Sequence, residues 1–326
     1  MLTKRGYDCL SLSNTKALRG IMALTIVICH SRGRMLLIND TLVGSFFTAL
    51  AYLVVGMFFF LTGYGLRESS IHKPDYKNKF FKSRILTFYV DCLIFISIYV
   101  VYRIFTKQEV SIGGVIGSAT VFDTYVINGW YLQVAVLVYL GFYIAWKISG
   151  GKYEKIILLT LLAVYIITWW LSDKTITWVQ SILGIPMGYL WSEKKNELDA
   201  FINKHYVSML IGGSVSLFCM VIIGNWYVNG ILQVAIKAIS VCFFIIVSIC
   251  VLKAIPIQNK LFMYLGEISL ELYVVHGLWI DILGNDIDTW VKTVIFFAAV
   301  MVCSILTASV LHELIKQVNL FLKKIQ

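Results

Sequence analysis

The chain is poor in the residues that build soluble domains. Only 14% of its 326 residues are charged, against about a quarter in an ordinary globular domain. It has only 3 prolines, so its helices should run mostly unbroken. There is no low-complexity tract, no internal repeat and no polar stretch long enough to form a separate soluble domain. The seven cysteines (Cys9, Cys29, Cys92, Cys219, Cys242, Cys250 and Cys303) form no CxxC pair and no metal-ligand spacing. They read as small buried hydrophobes, and no metal site is expected. Short alternating apolar segments are absent too, which excludes a transmembrane β-barrel.

What remains is apolar: 59% of the residues are hydrophobic, gathered in runs long enough to cross lipid. The fold class read from this is all-α, a polytopic integral membrane helix bundle forming one domain over residues 1–326. Ten spans are expected, at about 17–38, 43–66, 85–105, 129–147, 154–172, 176–191, 206–224, 230–252, 262–283 and 289–312. Asn225 to Gly230 and Gly284 to Asp288 supply turns between close neighbours. The first run has Lys4, Arg5 and Lys16 ahead of it but no small-x-small cleavage site, so it is expected to stay as a first helix. The net charge of +10 does not indicate a nucleic-acid partner, because the cations sit in short loops between apolar runs. Of the 28 Lys and Arg, 21 fall on the side of the N-terminus and 7 on the other, which predicts that both termini are cytoplasmic.

Several residues stand out from this apolar background. In KALRGIMALTIVICHSR, His30 follows Arg19 by eleven positions. At about 100° per residue the two return to within about 20° of one face, separated by roughly 16 Å along the axis. This places an imidazole near the bilayer middle, where ionisable groups are costly and point to function. RESSIHKPDYKNKFFKSR (67–84) reads as a basic cytoplasmic loop, either an anchor for anionic lipid or a phosphate-binding patch that includes Arg67, Lys82 and Arg84. Trp130 and Tyr131 open a middle span, where an interfacial aromatic belt is the ordinary explanation. LGEISLELYVVHG (265–277) carries Glu267, Glu271 and His276. Glu267 and Glu271, four apart, are expected on one face, whereas Glu271 and His276 diverge by about 140°. Asp91, Lys237 and Asp281 are expected to pair structurally within the bundle, and Asp123 to face solvent on the far side.

Taken in order, these stretches resemble membrane-bound acyltransferase family 3, the bacterial O-acyltransferases of cell-surface glycans. The resemblance runs from about Asn14 to Lys324. It rests on the Arg-x10-His helix (Arg19, His30), FFFLTGYGLR, the basic FFKSR element (Phe80–Arg84), the WYL opening, SILGIPMGYLW (181–191) and GEISLELYVVH (266–276). In two places the chain departs from the family pattern. Arg84 is followed by Thr87 and Val90 rather than by a second Arg and Pro, and Leu270 stands where the family has Tyr. No SGNH-type domain is expected, as in the stand-alone members.

The resemblance implies transfer of an acyl group, usually acetyl, from cytosolic acyl-CoA (acetyl-CoA) as co-substrate to a hydroxyl of a cell-surface or lipid-linked glycan. It implies a multi-pass protein of the inner (plasma) membrane, with membrane lipid as surroundings and a homo-oligomer left open. His30 with Arg19 would be catalytic, His30 acting as general base or as acyl carrier. Arg84, Lys82 and Arg67 would bind the cofactor, and Glu271, His276, Trp130 and Tyr131 the substrate. A transporter or flippase of a lipid-linked sugar would also hold intramembrane charge, but inverted repeats and paired broken helices are not evident.

Overall fold

The computed structural model describes residues 7–39, 41–120, 125–150, 152–172, 174–285 and 287–325, with side chains as far as 321. Among the described residues there are helices and no strands. In chain order the main helices are α1 (Leu12–Ser31), α2 (Leu42–His72), α3 (Thr87–Phe105), α4 (Trp130–Ser149), α5 (Glu154–Trp170) and α6 (Gly184–Glu193). They continue with α7 (Lys195–Lys204), α8 (Tyr206–Ile222), α9 (Gly230–Ala254), α10 (Lys260–Glu267), α11 (Ser269–Leu283) and α12 (Trp290–Ile325). Tyr76–Phe80 is helical too and runs into α3 through a π turn at Phe81–Leu86.

Among the described residues, seven helical stretches are long and apolar enough to cross a membrane, or eight if the bent pair α10–α11 counts as one. By length, the expected count of ten is not confirmed. α5 has 17 residues, about 26 Å of helix against a hydrocarbon core of about 30 Å. α6 has 10, only about 15 Å. The stretch expected as a ninth span breaks at Ile268 with a 75° bend. The basic loop expected at 67–84 is mostly helical, because α2 continues to His72 and helix resumes at Tyr76.

The chain divides into two compact units. Unit 1 comprises residues 1–72, 175–270 and 286–301. Its tightest contacts are made where glycine lets backbones meet. A Cβ on Gly184 would fall on the Gly56 carbonyl oxygen, and one on Gly188 on that of Phe60. This is how a helix as short as α6 is held against α2, by the small-xxx-small spacing common in membrane bundles. In the same way Gly20 of α1 meets the Phe262 carbonyl, and Gly266 of α10 meets that of Lys16. α8 packs along α9 and keeps most of its apolar surface outward.

Unit 2 comprises residues 73–174, 271–285 and 302–326. Buried Glu154 at the start of α5 accepts from Trp146 Nε1 (2.7 Å) and from Lys77 Nζ (3.0 Å). Phe80, fully buried, meets the Trp146 ring edge-on at 4.8 Å. Together these contacts fasten the start of the π turn to α4 and α5. Deeper in the unit, Tyr99 donates to the Val274 carbonyl (2.9 Å), and Tyr102 to Asp281 Oδ2 (2.5 Å).

Candidate active site

Arg19 and His30 lie on one unbroken helix, α1, and both are half-buried. The eleven-residue spacing therefore does put them on one face, roughly 16 Å apart along the axis. The depth of His30 differs from the expectation. α1 begins at Leu12 and ends at Ser31, where Arg32–Arg34 turn off in a 3-10 segment. His30 is thus in the last turn, about 27 Å from the start of the helix and near one end of a span rather than its middle. Gly20, beside Arg19, packs on α10, and Lys16 one turn earlier forms an ion pair with Glu267. This ties the start of GEISLELYVVH to the helix that carries Arg19 and His30, within unit 1.

The break at Ile268 corrects the reading of the two glutamates. Glu267 and Glu271 do not share a face, because they belong to α10 and α11, on either side of the bend. Glu267 turns to Lys16, whereas Glu271 accepts from His312 Nδ1 at 2.9 Å. His276 is fully buried, its Nδ1 3.3 Å from the Leu272 carbonyl.

Within unit 2 the structure brings together three of the four residues expected to contact substrate. Trp130 meets Tyr131 with ring centroids 6.3 Å apart, Tyr131 meets Tyr273 at 5.1 Å, and Tyr273 meets His276 at 5.6 Å. The Tyr273 hydroxyl donates to the Asn128 carbonyl (2.8 Å) just before α4 begins. Glu271, the fourth, pairs with His312.

The basic residues separate by environment. The guanidinium of Arg67 is held by Glu193 at 2.8 Å and lies over the Tyr189 ring at 4.9 Å, so it is already partnered. Lys82 and Arg84 ride on the exposed π turn, and among the described residues neither side chain makes a hydrogen bond or ion pair. Such π insertions recur at functional sites. Lys195 pairs with Asp8 at 2.7 Å, its Nζ 5.8 Å from the Tyr64 ring. Burial opposes its charge, but the Asp8 carboxylate and the Tyr64 phenol outweigh that and hold its ammonium above the ordinary lysine range. Burial pushes the Cys9 thiol up to about 11, which keeps it unreactive.

The remaining intramembrane charges have local contacts. Asp91 accepts from Asn319 Nδ2 (3.1 Å), Asp281 accepts from Tyr102, and Lys237 lies 5.3 Å from the Tyr52 ring centroid. Asp123 lies outside the described residues. Sequence reasoning missed His312, Asn319 and Glu154, which have partners far along the chain, and Tyr273, which lies within GEISLELYVVH but meets Tyr131 and Asn128 only through the fold.

A multi-pass helical membrane protein that carries an arginine and a histidine on one face of its first long helix is the class these observations define. Residues 14–313 match the model of a family described as an acyltransferase domain. The chain therefore belongs to acyltransferase family 3. Neither the curated proteins nor the solved structures contain a match to it.

Proposed function

We propose that this acyltransferase moves an acyl group, acetyl in the simplest case, from cytosolic acyl-CoA to a hydroxyl of a cell-surface or lipid-linked glycan. On this reading it sits in the inner (plasma) membrane with both termini in the cytosol. The observation that carries the proposal is the placement of Arg19 and His30 on one face of α1 within the matched region. Lys82 and Arg84 are the cations open to bind the phosphates of acyl-CoA. Arg67 would have to leave Glu193 to do so.

His30 acts as general base. Its neutral imidazole takes the proton of the acceptor hydroxyl as the oxygen attacks the thioester carbonyl. The carbon–sulfur bond then breaks, and the departing CoA thiolate recovers the proton from the imidazolium. The position of His30 at the far end of α1 from a cytosolic N-terminus supports this over a covalent relay, because a glycan reached from outside need not enter the bilayer middle. Trp130 and Tyr131, half-buried at the start of α4, offer aromatic faces and a hydroxyl suited to sugar rings.

Membranes carrying the wild type, His30→Ala or Arg19→Ala, given labelled acetyl-CoA, test the proposal. The His30 variant is expected to lose about 10²–10⁴-fold in CoA release, and Arg19→Ala to fall well below wild type. Unchanged turnover in both would refute the assignment. Label trapped on His30 without acceptor would replace the base by an acyl carrier.

A further inference from the structure

Unit 2 buries two carboxylates that no lysine or arginine neutralises among the described residues. Asp91, on α3, accepts from Asn319 Nδ2, and Glu271, on α11, accepts from His312 Nδ1. His312 and Asn319 are seven apart on α12, hence on one face and about 10 Å apart along it. Asp91 and Glu271 lie within electrostatic reach of each other. Two oxygens are left over. Glu271 Oε2 and Asn319 Oδ1 are buried and have no hydrogen-bond partner among the described residues, and Glu271 is only 5% exposed. Leaving buried acceptors unmet is costly, so such groups normally have partners. Both orphans are acceptors, so the missing partner is a hydrogen-bond donor. Among the described residues no three His, Cys, Asp or Glu converge to hold a metal ion.

We infer that Glu271 Oε2 and Asn319 Oδ1 receive the amide N–H groups of the pantetheine arm of the acyl donor, an assignment that rests on the acyl-CoA reading above. The arm is uncharged and carries two amide N–H groups and a hydroxyl. It leaves the phosphates directly. Asp91 follows Arg84 by seven residues on the run of helix that continues from the π turn into α3, about 10 Å further along. Phosphates held at Lys82 and Arg84 therefore put the arm within reach of this cluster.

Full-length protein in detergent, titrated with CoA and with adenosine 3′,5′-bisphosphate, which lacks the arm, tests the assignment. Glu271→Gln keeps the side chain's size but can turn an N–H toward the arm. It and Asn319→Leu are expected to weaken CoA about tenfold and to leave the bisphosphate unchanged. Lys82→Ala with Arg84→Ala should weaken both probes. Equal losses for the two probes in Glu271→Gln and Asn319→Leu, or no loss for CoA, would overturn the inference. So would CoA binding that vanishes when sodium and potassium are replaced by choline, since the cluster would then be a cation site. Should Glu271→Gln not fold, Asn319→Leu, at a less buried position, carries the test alone. A wild type that binds neither probe defeats the acyl-CoA reading itself, a result distinct from selective loss in a variant.

Discussion

Lys82, Arg84 and Arg67 show how differently three cations from one basic stretch are placed. A phosphate meeting Lys82 or Arg84 displaces only water, whereas at Arg67 it must compete with Glu193. Lys82→Ala and Arg84→Ala should therefore each raise KM for acyl-CoA severalfold with kcat nearly unchanged, as steady-state kinetics would show. Arg67→Ala should instead lower thermal stability. A KM effect larger at Arg67 than at the other two would contradict this division. Lys195 allows a prediction in pH. Its folded-state pKa is raised by Asp8 and Tyr64, so its contribution is complete below the unfolded lysine value near about 10.4 and fades as pH rises through the folded value. The gap in melting midpoint between wild type and Lys195→Met should stay constant from about pH 6 to 9 and narrow above about 10.4. A gap that closes on the acid side of neutrality would show the sign to be wrong.

At the scale of elements, α6 is the informative case. It is too short to cross a membrane alone, yet Gly184 and Gly188 seat it on the backbone of α2. Gly188→Ala puts a methyl onto the Phe60 carbonyl and should destabilise the protein by about 1–3 kcal/mol, as overpacking does. Gly212→Ala on α8, where nothing lies within 4 Å of the new methyl, should be neutral or slightly stabilising. Thermal unfolding in detergent compares the two, and equal midpoints would remove the packing argument. The glycine spacing in SILGIPMGYLW is visible in the sequence, but not which helix it meets. Likewise GEISLELYVVH reads as one helix, because no proline marks the break at Ile268. The bend is produced by packing: Gly266 on α1 before it, and Tyr273 and His276 buried after it.

For the whole molecule, parity links span number to orientation. Seven crossings would put the termini on opposite sides, whereas eight, with the bent pair crossing once, or ten put them on the same side. The Lys and Arg distribution calls for the same side. α5 exposes Ile156, Leu159, Val164, Ile167 and Trp170, and its charges Glu154 and Lys155 stand at one end, a surface suited to lipid. A cysteine at Lys174, in a background lacking the native cysteines, should then label from outside the cell, while one at Asp75 should label only from inside. Cytosolic labelling at both positions would leave α5 uncrossed and the count at eight.

Composition alone was enough for an all-helical membrane protein, since a chain with so little charge and so many long apolar runs has no other way to satisfy its backbone. The order of short motifs pointed to the acyltransferase family, and the Arg19–His30 spacing follows from helical periodicity, a local property. Tertiary structure decided which charges are already spoken for, where the glutamates of one motif part company, and that Glu271 meets His312 across 41 positions. Those outcomes depend on which helices pack together, and helical periodicity constrains neighbours along one rod without saying which rods will touch.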